Sequence, residues 1–186
     1  MIGDKKDIGG FTLIELLVGL SVFVLVVGGI IGIFISVIRS QRQVLAEQEA
    51  LNQLSFAMEY MSRALRMARR ENGNFNCLTT DFNYENPSGI SSIQFINHLQ
   101  SDDCQRFFLE GNTLKYIIGA GGESEETLPL TSPDIEISQL KFELKGQAKD
   151  DSPESDSQPR VTIFLEASAP LKMKLQTTIS QRNLDI

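Results

Sequence analysis

Glu15 is the only charged residue between Phe11 and Ile38. A lone carboxylate in an apolar run of membrane length costs about 2.5–3.5 kcal/mol on insertion scales. It therefore requires a partner or a purpose. The chemistry open to it is charge pairing, because a carboxylate buried with a cation is penalised far less than one buried alone. The second reactive pair is Cys77 and Cys104, the only two cysteines. Either they form a bridge, worth roughly 3 kcal/mol for a loop of this size in the chain-entropy model, or they are two buried thiols. An apolar anchor ahead of them implies export to an oxidising compartment, which favours the disulfide. The third candidate is His98, the single histidine, near Asp102 and Asp103. An exposed loop histidine is the plainer reading than a metal or acid–base site, and no Cys–His motif has zinc spacing. The acidic stretches at 101–103 and 150–156 offer oxygen atoms of the kind Ca²⁺ takes, but without the EF-hand spacing.

The elements that must position these groups fall into two parts. The chain has 186 residues, enough for one modest domain plus an anchor. Its net charge of −7 makes it a poor general binder of DNA or anionic lipid. Residues 11–38 would extend about 42 Å as a helix, against a hydrocarbon core of roughly 30 Å. A secretory signal peptide has a shorter apolar region, about 7–15 residues, with its small-residue cleavage site behind it. Here the small residues Gly9 and Gly10 precede the run. Gly19, Ser21, Gly28, Gly29, Gly32 and Ser36 lie within it, and Gly28 with Gly32 forms a G-x-x-x-G pair that permits close helix approach. Lys5 and Lys6 before the span and Arg39 and Arg42 after it do not fix its orientation. The disulfide argues for the N-terminus in the cytoplasm and the C-terminal part outside.

Gly10-Phe11-Thr12-Leu13-Ile14-Glu15, ahead of an apolar helix, resembles the class III signal of type IV prepilins and type II secretion pseudopilins. The resemblance implies that a prepilin peptidase cuts between Gly10 and Phe11 and N-methylates Phe11. Residues 1–10 are then a leader peptide. Glu15 matches the family's glutamate at the fifth mature position. In an assembled filament its carboxylate would neutralise the new amino terminus of Phe11 in another subunit and favour one axial register. The bland alternative is a Glu15 that snorkels to the membrane interface. The family's type IVa members usually carry a proline about twenty residues into the mature chain. Here Gly28, Gly29 and Gly32 occupy that neighbourhood instead.

Behind the span, residues 39–72 read as an amphipathic continuation of the same helix. Leu54, Met58, Met61, Leu65 and Ala68 recur at spacings of four and three, a stripe on one helix face. Core packing explains the stripe better than a ligand groove. Arg63, Arg66, Arg69 and Arg70 lie mainly off it and read as a solvated or salt-bridged face rather than a phosphate site. Asn72-Gly73 supplies a stop, so one helix from Phe11 to Glu71 is expected, about 90 Å long.

Residues 73–186 read as a β-rich head. Ser92–Asn97 has the pattern of a strand. Arg106–Leu109, Glu110-Gly111-Asn112 and Thr113–Ile118 read as a hairpin. Further strands are expected over Ile135–Leu144, Arg160–Ala167 and Lys172–Ser180. Gly119-Ala120-Gly121-Gly122 only superficially resembles a phosphate loop, since acids follow it and no strand-to-helix context surrounds it. Ala148–Pro159 reads as a polar, acidic loop. The run of features Arg106–Leu114, Ser138–Phe142, Pro159–Ala167 and Thr177–Arg182 resembles minor pseudopilins of the J-like class.

The expected fold class is therefore α+β: a long N-terminal helix packed against an antiparallel sheet head, in a pilin-like arrangement. The function implied by the resemblance is a structural subunit, a minor pilin or pseudopilin of a type IV filament or secretion pseudopilus, and not an enzyme. Its implied partners are prepilin peptidase, other pilin or pseudopilin subunits, the inner-membrane assembly platform and the lipid bilayer. No cofactor, metal or nucleic acid is implied. A major pilin is the alternative within this class. A membrane-anchored ligand-binding ectodomain that does not polymerise is the alternative outside it; a plain anchor needs neither the cleavage signal nor Glu15.

Overall fold

The computed structural model describes residues 10–120, 125–146, 158–170 and 172–182. The leader call at 1–10, apart from Gly10, lies outside the described residues. So do Gly121 and Gly122, most of the acidic loop at 148–159, and the acidic stretch at 150–156. The chain divides into two compact units, Met1–Leu45 and Ala46–Ile186.

Helix α1 runs from Leu13 to Arg66 without a break. No proline interrupts it, and it continues through Gly28, Gly29 and Gly32. In the first unit its large apolar side chains from Leu13 to Val37 are exposed, apart from the half-buried Val27. In the second unit one face is buried: Ala50, Leu54, Ala57, Met61, Ala64 and Leu65. Alanines at every seventh position along that face let the backbone approach the sheets, while Leu54, Met61 and Leu65 fill the space between them. Each of those three contributes about 1.5–3 kcal/mol by leaving water.

Two antiparallel sheets complete the second unit. The first has the order β1-β2-β3-β4-β5 and the second β6-β7-β8. Their strands are β1 (Ala68–Arg69), β2 (Ser92–Asn97), β3 (Asp103–Glu110), β4 (Thr113–Ile118), β5 (Glu126–Pro129), β6 (Glu136–Lys145), β7 (Arg160–Ala169) and β8 (Met173–Ser180). The β3–β4 turn places Gly111 and Asn112 at φ of 56° and 64°. Two consecutive positive angles make the tight, twist-compatible hairpin turn for which glycine and asparagine are suited. Phe95, Phe107, Leu114, Phe142, Val161, Ile163 and Leu165 join the buried helix face in one core. Tyr60 meets Phe107 edge-on, with ring centroids 6.0 Å apart. The methionine stripe is part of this core, with Met61 fully buried and Met58 packed against it.

Three sequence expectations require correction. The helix ends at Arg66, not Glu71, and Ala68–Arg69 pairs with Asn97 and Ile96 of β2. The physical reason lies in distant partners for the terminal carbonyls. Tyr84 Oη donates to Leu65 O at 2.7 Å. Arg182 N donates to Arg66 O at 2.8 Å, and His98 N to Met67 O at 3.2 Å. Gln181 Nε2 donates to Ala68 O at 2.7 Å. Groups that a further helical turn would have bonded are thus satisfied from elsewhere. The head also holds two sheets rather than one, and β5 adds a strand that carried no clear period in the sequence.

Candidate processing and assembly segment

The start of α1 is built by its own sequence. Thr12 is the N-cap: its Oγ1 accepts from Glu15 N at 3.4 Å, and its carbonyl accepts from Leu16 N at 3.2 Å. Thr12-Leu13-Ile14-Glu15 has the S/T-x-x-E spacing of a capping box. The acid therefore sits in the first turn, where the unpaired N–H groups and the helix dipole favour negative charge. Gly10 and Phe11 precede the helix and are exposed, Phe11 to 85%. Glu15 is exposed as well, and its carboxylate has no partner among the described residues. The segment is thus an exposed Gly-Phe pair, a capped helix start and an acid, all within six residues.

The face behind it is open. A Cβ placed on Gly19, Gly28, Gly29 or Gly32 would meet nothing within 4 Å. Ser21 Oγ satisfies itself on Val18 O at 2.8 Å, so the serine presents no unpaired donor to the apolar surface. Among the described residues, this is the one helix long and apolar enough to cross a membrane.

The remaining sequence candidates lie in the head. Cys77 and Cys104 are joined by a disulfide, with Cα atoms 5.5 Å apart. His98 stands in a short 3-10 turn, His98–Gln100, and its Nδ1 lies 2.9 Å from Asp102 Oδ1. Asp102 Oδ2 accepts from Arg69 Nη1 at 2.8 Å. The Arg69–Asp102 ion pair, with His98 bonded to the same aspartate, ties the β2–β3 connection to β1. No group of three His, Cys, Asp or Glu side chains that could hold a metal ion occurs among the described residues. Of the arginine cluster, Arg63 pairs with Glu59 one turn earlier. Arg69 also lies over the Phe75 ring at 5.7 Å, and Arg70 lies 3.9 Å from Asp81.

One charged residue of consequence escaped the sequence reading. Glu71 is only 1% exposed. Its Oε1 accepts from the amides of Gly73 (2.9 Å) and Phe75 (3.1 Å). Its Oε2 accepts from those of Cys77 (3.0 Å) and Leu78 (3.5 Å). Burial alone pushes the carboxyl up, but the four backbone donors together hold it below the ordinary glutamate value. The 73–78 loop is wrapped around this charge. Beside it, Gln94 Nε2 donates to Cys77 O at 2.6 Å, while Gln94 Oε1 accepts from Arg106 Nε at 2.8 Å. The only sequence signal was a glutamate just ahead of an Asn-Gly turn and a cysteine.

With this geometry established, comparison with known families gives one result. The model of the prokaryotic N-terminal methylation motif matches residues 5–36. It covers the signal and most of the apolar run, and none of the head. Neither the curated proteins nor the solved structures give a match. The motif supports a type IV pilin- or pseudopilin-like subunit, a structural class rather than an enzymatic one. One long N-terminal helix followed by antiparallel sheets is the pilin-like α+β architecture that goes with it. The motif implies processing by prepilin peptidase and assembly with other pilins, and with the apolar helix it supports anchoring in a membrane.

Proposed function

We propose that this chain is a minor subunit of a type IV filament or type II secretion pseudopilus, akin to the J-like minor pseudopilins. Prepilin peptidase cuts after Gly10 and methylates the new amino group of Phe11. Before assembly the helix holds the subunit in the inner membrane, with the head outside. Extraction by the assembly platform brings apolar helices side by side, where an unpaired carboxylate is strongly penalised. Glu15 of one subunit then takes the Phe11 ammonium of another as its partner. The same pairing fixes the axial register, since any slip strands both charges.

The observation that carries this reading is the placement of Glu15. It lies in the first turn of an exposed apolar helix, four residues after Phe11 and within the matched methylation motif. The test is the N-terminal mass of the protein recovered from membranes of cells with active prepilin peptidase. The expected species begins at monomethylated Phe11. A chain still carrying Met1 in those cells would remove the proposal.

A further inference from the structure

The two sheets have four outer strands, and three of them are blocked. β1 has only two residues, and Ala68 O is already taken by Gln181. In β5, Leu130 N bonds back to Leu114 O at 2.8 Å, so by strand alternation Thr127 and Pro129 turn their backbones outward. Proline has no N–H to offer there. The outer edge of β6 is closed by Asn112 O, which accepts from Ile137 N at 2.9 Å, and by Ile90 O, which accepts from Phe142 N at 2.7 Å. A register shift near Ile137 interrupts it further. These are the usual ways in which a native sheet prevents unwanted pairing.

Among the described residues, β8 carries none of these devices. Gln181 N bonds to Pro159 O at 3.0 Å, which sets the alternation: Leu175, Thr177 and Ile179 face β7. Lys174, Gln176, Thr178 and Ser180 therefore turn their N–H and C=O groups to the free side, and all four residues are exposed. Among the described residues, an outward amide is engaged only at Arg182, by Arg66 O. The edge is also basic. Lys172, Lys174 and Arg182 lie along it, Arg160 pairs across from Ser180, and β8 contains no acid. Lys174 lies 3.0 Å from Glu166, yet its side chain stays 74% exposed.

We propose that the free edge of β8 is a strand-addition site for an acidic, extended segment of a neighbouring subunit. The inference rests on the filament reading above. Main-chain hydrogen bonds to the four outward residues supply the attachment, and the basic residues at both ends select an acidic strand.

The test substitutes Gln176→Pro and, separately, Thr178→Pro in the full chain. Each removes one outward N–H and leaves the β7 ladder intact. Filament incorporation should fall about tenfold, with the melting temperature of the membrane-extracted chain unchanged. Incorporation at the wild-type level would overturn the proposal. Should the proline variants fail to fold, Lys172→Glu with Lys174→Glu decides: normal incorporation overturns the acidic assignment, and loss supports it. If the wild-type chain enters no filament, the filament reading fails, and the edge is read independently. The full chain in detergent micelles is mixed with a synthetic peptide alternating threonine and glutamate. Slowed hydrogen exchange at the Gln176 and Thr178 amides supports strand addition. No slowing, or equal slowing by a threonine–lysine peptide, overturns it.

Discussion

The amide of Cys77 donates to Oε2 of Glu71 at 3.0 Å, so the residue that closes the disulfide also helps hold the buried carboxylate. The two features stabilise the same loop from opposite ends. The carboxylate draws four amides inward, and the Cys104 bridge fixes where the loop can lie.

Glu71→Gln should destabilise the head by about 2 kcal/mol, because hydrogen bonds to a charged acceptor are the strong ones. Burial raises the carboxyl and the amide donors more than offset it, so the value in the fold lies below the ordinary 4.5. A lowered value means that the native state binds fewer protons than the unfolded chain. The contribution is complete above 4.5 and is lost as pH falls below it, through the folded value. Denaturant titrations of the wild type from pH 7 down to pH 3 should show this loss. The Gln variant should lack that part of the slope.

Replacing both cysteines with serine should cost about 3 kcal/mol. The cost should not add to that of Glu71→Gln, because the same loop supplies both. A double-mutant cycle should return a coupling of roughly 1 kcal/mol. Simple additivity would show that the loop keeps its shape around Glu71 without the bridge.

Tyr84→Phe leaves Leu65 O without its phenol donor and should cost about 1–2 kcal/mol. Amide exchange should accelerate in the last turn of α1, while the first sheet stays protected.

Glu15→Ala should leave cleavage after Gly10 largely intact, since the head and the bond to be cut are unchanged. Incorporation into filaments should fall about tenfold or more, the scale of one charge-assisted contact. Equal incorporation of the variant would remove the proposed pairing with Phe11.

How far these features were legible in the sequence depends on their range. Ser92–Asn97 and the turn at Gly111-Asn112 were readable because alternation and turn chemistry are local properties. So was the apolar helix, and so was the Leu54–Leu65 face, whose spacing is its own evidence. The helix end was misplaced because Asn72-Gly73 offers a local stop, whereas the carbonyls of Leu65 to Ala68 are satisfied by Tyr84, His98, Gln181 and Arg182. No window along the chain contains those partners together. Glu71 was missed for a related reason. A buried carboxylate satisfied by amides needs no opposite charge nearby in sequence, and its donors lie in a loop without period. At the N-terminal segment, by contrast, Thr12 and Glu15 interact within one turn, so the spacing seen in the sequence is also the geometry seen in the structure.

The end of α1 also has a mechanical meaning. In the filament proposed above, the subunit would be pulled through its helix, and the head would have to carry that load without shearing away. Leu65 O is held by Tyr84, Arg66 O by the chain just beyond β8, and Met67 O by the residue just beyond β2. A tug on the last helical turn is thus delivered to both sheets at once and to three separate points along the chain. Bonds loaded in parallel share the force, so no single one must fail first. The head is fastened to its helix as a rope is spliced rather than knotted, and the splice is complete only when the final strand is in place.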